Sequence, residues 1–447
     1  MNWLNKFRFW RRRRHQAVAV SPLMRHLEAV PARAAASADP THIPARGPAQ
    51  ALPSGRPPRS PFQADARKQA IRQGFNASQP VSSVRQLHGR EEELDLLVEG
   101  MLDRGNHGLI FGARGSGKTS LSRVFANIAD ERGYVVMYSA CEPDQSFGEI
   151  IHPFIAGLPR SCFSYPDAQR ILPDRDTKPR AAAEMLADCD RSRVIFILDE
   201  FDRILDRDVQ HDVATFMKLL SDTHSPVQLL AVGIASGLDH LIEGHPSLRR
   251  HLSPIGLRGV DTDAVFAIIN KGAQSANISF TDATIETISS LSCGSPYHVR
   301  LFCALAAYEA LKRGEQQVDV HATLSGIGRA LADWAMTNED DAALFRRVTT
   351  HEPQLVQAVE DVARAAARRA NLSAEGLRAS MGEIADHALA MLAPVLEWHE
   401  TDSDRLNFRD SLAPQFLLVT LCMSQASRHP DNRVVSITEP VRQMHLH

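Results

Sequence analysis

Apolar residues recur along this chain in two rhythms that change over near residue 260. Between 105 and 260, short, mostly apolar segments stand at 108–111, 134–138, 194–198, 228–234 and 253–257, separated by stretches with three- and four-residue spacing. Runs of this length describe strands buried on both faces, and their alternation with helices predicts a parallel sheet with right-handed crossovers. From 261 to about 425 helical periodicity takes over, at 262–275, 282–291, 296–313, 321–334, 341–347, 354–370, 373–393 and 411–424. Ahead of the sheet, Leu94, Leu97, Val98 and Met101 share one helical face. Residues 160–180 read as a surface loop. Residues 16–79, rich in Pro, Ala, Ser and Arg without sustained periodicity, read as a disordered linker, with order beginning near Pro80.

Composition sharpens this picture in two places. At 447 residues, 44% hydrophobic and 23% charged, the chain reads as an ordinary soluble protein of two to four domains. No apolar run of about 18 residues suggests a membrane span, and six scattered cysteines without a C-x-x-C pair indicate neither a zinc site nor a disulfide framework. The net charge of −3 hides an asymmetry: up to residue 72 there are fourteen Lys and Arg against three Asp and Glu, and the remainder is acidic, 36 against 50. The first residues interleave Trp3, Phe7, Phe9 and Trp10 with Arg11 to Arg14. That mixture suits phosphate contact with base stacking, or an anionic membrane surface.

Chemistry concentrates in the run "GARGSGKTSL". Gly112, Ala113, Arg114, Gly115, Ser116, Gly117, Lys118 and Thr119 fit G-x-x-x-x-G-K-[ST] without a mismatch, after a strand and before a helix that continues through Ser120. In such a loop, backbone N–H groups and a helix N-terminus cradle a phosphate, Lys118 reaches the β- and γ-oxygens, and the Thr119 hydroxyl ligates Mg²⁺. The second stretch, "RVIFILDEFDRI", is a buried strand delivering Asp199 to the Mg²⁺ shell and Glu200 to the water that attacks the γ-phosphate. The alternative for Glu200 or Asp202 is a cap on the next helix. "NKGA" at 270–273 lacks the aspartate that guanine recognition requires, which favours ATP. ATP chemistry in turn suggests the cytoplasm.

Together with "HGREEEL" at 88–94, these motifs resemble those of AAA+ P-loop ATPases, nearest the initiator, transposase-helper and STAND-like types. The resemblance is carried by roughly 85–205 and thins out towards 300. It implies an α/β P-loop NTPase sheet of AAA+ type with a helical lid and a winged-helix-like C-terminal domain. The corresponding division is a basic arm and linker (1–79), nucleotide domain (80–260), lid (261–335), winged-helix-like domain (336–427) and tail (428–447). By the same resemblance His88, Gly89 and Arg90 lie by the adenine, with a capping turn as the alternative. Ser236 stands at a polar sensor position where many relatives carry Asn. Arg249 and Arg250 stand where relatives place an arginine finger, Arg250 being nearer the next strand. Gly294-Ser295-Pro296 matches the Gly-x-Pro of STAND proteins, and Arg300 follows one turn on, near the position of the initiators' sensor arginine. Pro296 also suits a first helical position. Homo-oligomerisation on ATP binding and a partner protein are implied, with DNA held through the basic arm or the C-terminal domain as one output. A nucleotide switch that recruits an effector without DNA is the other.

Overall fold

The computed structural model describes residues 61–167, 170–233, 246–368, 371–398 and 404–428. Five strands, β1 (His107–Gly112), β2 (Val135–Ala140), β3 (Val194–Asp199), β4 (Val227–Gly233) and β5 (Leu252–Leu257), form one sheet in the order β2-β3-β4-β1-β5, every pair parallel. Each lies within about two residues of its apolar run. β3 and β4 are buried along their whole length because neither face meets water, which is why their sequences run apolar without alternation. Helices α2 (Glu91–Val98), α3 (Lys118–Glu131), α4 (Phe147–Gly157), α5 (Pro179–Met185) and α6 (Arg207–Asp222) supply the layers and crossovers. α4 is started by a full capping box, Ser146 with Glu149, and α6 by Asp206, which accepts from the N–H groups of Asp208 and Val209.

The expected linker ends earlier than its composition indicates. Residues 61–74 form a helix, α1 (Pro61–Gly74), that packs on α7 (Thr262–Ala276). Ile71 and Phe75 are buried there, and the Phe75 ring meets Phe280 edge-on at 5.6 Å. Among the residues whose burial is described, one i, i+4 apolar pair, Ile71 and Phe75, anchors the helix, too sparse a pattern to register as periodicity. The placement is close: a Cβ on Gly272 would lie 2.2 Å from the Phe75 ring.

Beyond the sheet come α7, α8 (Asp282–Ser292), α9 (Pro296–Lys312) and α10 (Val320–Ala335), with a two-stranded parallel pair, β6 (Ser279–Phe280) and β7 (Gln317–Val318), that the periodicity does not reveal. Then follow α11 (Glu339–Val348), α12 (Pro353–Arg368), β8 (Leu372–Ser373), α13 (Ala374–Met381), α14 (Ile384–Leu392), the antiparallel pair β9 (Leu396–Trp398) and β10 (Arg405–Phe408), and α15 (Ala413–Arg428). The three short strands order as β8-β10-β9. The single helix expected over 373–393 is two, because Gly382 adopts φ +71° and breaks the hydrogen-bond ladder between α13 and α14.

Two hydrophobic cores result. One lies between the sheet and α4 to α6; the other runs without interruption from α1 and the lid helices into α15. Trp334, at the end of α10, ties the second together: it stacks on Phe345 and Phe416 and donates from its indole Nε1 to Asp410 Oδ2 at 2.9 Å. The boundary expected at 335/336 is a turn in the chain without a gap in packing.

Candidate functional site

The strand order places the loop after β1 and the end of β3 on one sheet edge, with β4 between them. Ligands of open parallel sheets bind beyond the carboxyl ends of the strands. The loop leaves β1 at Gly112 and re-enters helix at Lys118, with Gly115 and Gly117 at φ +73° and +96°. α3 begins without a side-chain cap, so its first N–H groups are left for another acceptor. Ser116 Oγ is buried and has no hydrogen-bond partner among the described residues. Ala113, Arg114 and Thr119 flank it at or near the surface. Ser120 Oγ accepts from the Val81 N–H at 3.2 Å, which helps fasten the segment before α2 onto α3.

Lys118 folds back along the loop, donating from Nζ to the carbonyls of Gly112 at 2.8 Å and Ala113 at 3.0 Å. Burial lowers its pKa, while Asp202 and Asp199 act in the opposite sense. Asp199 is 5% exposed and holds its carboxylate between two donors: the Glu200 N–H at 2.9 Å to Oδ1 and the Tyr138 hydroxyl to Oδ2. Tyr138 comes from β2 two residues before Ala140, the pairing partner of Asp199. Burial and the Asp199 charge raise the phenol pKa, so it remains a donor. The Arg123 guanidinium lies over its ring at 5.4 Å. Glu200 adopts a left-handed backbone (φ +54°) and turns to solvent, paired with Arg203 at 2.9 Å. It makes no cap hydrogen bond, the capping of α6 falling to Asp206.

On the other side of the loop, His88, Pro296 and Arg300 line a cavity of about 20 Å³ together with Ser116 and Gly117, room for a water molecule. A purine needs this cavity to open. His88 has its pKa lowered, by burial first and by Lys271 second. Arg300 is half-buried, makes no hydrogen bond or ion pair among the described residues, and has its pKa lowered by desolvation. Arg90 lines the same cavity and also ties its surroundings together. It is 3% exposed and bridges Glu93 at 2.9 Å, the Ser116 carbonyl at 3.0 Å and the Arg258 carbonyl. It thus clamps the loop to α2 and to the exit of β5. Gly89, at φ +69°, sits where a Cβ would strike Ala264.

The helical segment after β5 reaches the loop through the start of α9. Ser295 caps that helix, accepting from the His298 N–H, and Pro296 takes its first position. Arg249 and Arg250 are exposed on the short helix Pro246–His251 and make no hydrogen bond or ion pair among the described residues. Ser236 lies outside the described residues. Sequence reasoning missed Tyr138 and the clamping role of Arg90, since neither belongs to the loop or carboxylate motifs.

The orphaned Ser116 hydroxyl, the uncapped α3 terminus and the unpaired Arg300 fit a polyanionic ligand, with Asp199 and Thr119 as oxygen donors for a hard cation. Residues 102–242 match the family described as AAA domain. That span covers the loop after β1 and most of the five-stranded parallel sheet. The comparison with curated proteins found no match. Three of the solved structures to which the chain is similar illustrate the range. The ORC2 protein of Aeropyrum pernix is 15% identical, with 80% of this chain and 98% of that one covered and a TM-score of 0.45. A Walker-type ATPase of Pyrococcus abyssi is 17% identical over 76% and 99%, TM-score 0.47. The RuvB Holliday junction branch migration motor of Thermotoga maritima is 18% identical over 73% and 95%, TM-score 0.40. Among the described residues no helix is long and apolar enough to cross a membrane.

Proposed function

We propose that the chain binds and hydrolyses ATP with Mg²⁺ and couples its nucleotide state to assembly on a partner. The observation that carries this reading is the uncapped, Gly-rich start of α3 with Lys118 beside Asp199 and Asp202. Lys118 would exchange the Gly112 and Ala113 carbonyls for β- and γ-phosphate oxygens, and the free loop N–H groups would hold the β-phosphate. Thr119 and Asp199 would hold Mg²⁺, which when bound supplies charge neutralisation at the phosphate oxygens. Glu200, once released from Arg203, is the base that accepts the proton of the attacking water. Ser236 is the proposed polar sensor, Arg300 a γ-phosphate contact from the lid, and His88 the adenine-side contact. Arg250, or its neighbour Arg249, acts as a finger on an adjacent subunit's nucleotide in an ATP-driven homo-oligomer. The order helix, strand, helix, helix, hairpin from α12 to β10 supports the winged-helix-like reading of the C-terminal segment. The basic composition of residues 1–72 supports DNA as a partner, and ATP dependence supports a cytoplasmic setting.

A second reading, a slow switch that recruits an effector without DNA, is favoured by one observation: the proposed base is engaged by Arg203. Duplex DNA separates the two, raising turnover in the first case and leaving it flat in the second. The ATPase itself is tested by Glu200→Gln. The amide keeps the shape but cannot accept a proton, so ATP affinity should persist while turnover falls by about 10²–10⁴-fold. Turnover within about threefold of wild type would place the base elsewhere.

A further inference from the structure

The C-terminal segment carries a groove separate from the nucleotide residues. It runs between the first turns of α12 and the bend joining α13 to α14, with a volume of about 520 Å³. Ala358, Met381 and Ile384 give it an apolar floor; Gln354, Gln357 and Asp361 stand at its sides. The groove is open to solvent along its length, shallow enough to receive the side chains of a docked segment without enclosing a ligand.

The charge around the groove is acidic and largely uncompensated. α14 contains no Lys or Arg, and it exposes Asp386 and His387 after the exposed Glu383. The nearby arginines are engaged: Arg364 pairs with Glu360 at 2.7 Å and also reaches the Ser290 carbonyl at 3.2 Å, and Arg378 pairs with Asp386 at 2.8 Å. Glu352 and Glu383 are exposed and make no ion pair among the described residues. Asp361 accepts the Gln357 amide at 3.2 Å and makes no ion pair within 4 Å among the described residues; burial first, then Glu360, pushes its pKa up against the Gln357 hydrogen bond and the charge of Arg364, itself paired with Glu360. Over 336–428 the sequence holds fourteen Asp and Glu against nine Arg and no Lys. A duplex held by α14 would need phosphate-neutralising cations on that helix, and they are missing.

We propose that this groove docks a basic amphipathic helix of a protein partner, with apolar side chains over Ala358, Met381 and Ile384 and Lys or Arg against Asp361, Glu352 and Glu383. This is helix-in-groove recognition, with anchors at i, i+3 or i+4. The inference rests on the proposed ATPase function only in naming the class of its protein partner.

The test uses the full chain and a fluorescein-labelled amphipathic Leu/Lys 14-mer, its Leu/Glu counterpart and a 20-bp DNA duplex, read by anisotropy and hydrogen exchange. Binding of the Lys peptide alone to the groove, with new protection confined to 353–361 and 378–387, is expected. The variants Glu352→Lys/Glu383→Lys and Ile384→Asp should each weaken it at least tenfold. The first changes only exposed side chains and keeps the test valid if Ile384→Asp unfolds. No binding, binding indifferent to both variants, or a duplex that protects 378–387 would overturn the proposal. Lys118→Ala should lose nucleotide and keep the peptide. Peptide failure with nucleotide binding intact therefore sinks the docking site alone, and nucleotide failure with peptide binding intact sinks the ATPase alone.

Discussion

The backbone N–H of Tyr297 donates to the Gly115 carbonyl at 3.4 Å, so the first turn of α9 rests directly on the Gly-rich loop after β1. Ser295 Oγ reaches the same carbonyl at 3.4 Å. Any change in the loop's conformation would therefore be felt at the start of α9. One residue on, His298 is fully buried against Phe416 of α15, with ring centroids 5.5 Å apart. Loop, lid and C-terminal helix thus meet within a single helical turn.

Gly115→Ala tests that contact. A Cβ there would lie 3.0 Å from both Ser295 Oγ and Tyr297 Cβ, on a backbone at φ +73°. The left-handed conformation alone costs an alanine roughly 1 kcal/mol, and relief of the clash would lift α9 off the loop. Melting temperature should fall by a few degrees and ATP turnover by about tenfold. Wild-type values for both would show that the lid contact is incidental.

Truncation separates the arm from the helix that follows it. Removing residues 1–60 should leave the melting temperature unchanged, since that stretch lacks the apolar periodicity to join a core. Removing residues 1–78 also strips Ile71 and Phe75 from the lid. Burial of each such side chain contributes about 1.5–3 kcal/mol, so the melting temperature should drop by several degrees. Equal melting temperatures for the two truncations would contradict the packing of α1 on α7.

Two buried neutral histidines set an acid limit on stability. His107 accepts the Leu229 N–H at Nδ1 (2.9 Å) and donates from Nε2 to the Met217 carbonyl (2.8 Å), a pairing available only to the neutral ring. Burial lowers its pKa to about 4, and that of His298 to about 3. Below pH 6.5 the unfolded chain binds protons that the folded chain refuses. The contribution is thus fully present above 6.5 and is lost as pH falls towards 4, by up to about 1.4 kcal/mol per pH unit for each ring. Urea denaturation at pH 7.5 and 5 should show this loss, and His107→Gln should flatten the profile. A slope unchanged in the variant would remove His107 from the account.

Much of the sheet and the loop was legible in the sequence because each rests on a local signal. Four of the five strands are apolar runs bounded by polar residues, and the glycines of 112–117 announce the turn they make. Tyr138, Arg90 and α1 depended on long-range partners. Tyr138 acts through a carboxylate 61 residues away, Arg90 through carbonyls 26 and 168 residues away, and α1 through Gly272 and Phe280 of the lid. The break at Gly382 escaped notice because apolar spacing continues across it.

The most direct test of the central claim is a fluorescent ATP-analogue titration of wild-type protein and Lys118→Ala with Mg²⁺ present. Lys118 is the one loop cation beside Asp199 and Asp202, and losing its charge-assisted bonds to phosphate should cost about 3 kcal/mol, more than 100-fold in affinity. Saturable binding by the wild type, lost in a variant that keeps its melting temperature, is the expected result. Equal affinity of the two proteins, or no binding by either, would contradict the assignment of residues 112–119 as a nucleotide site.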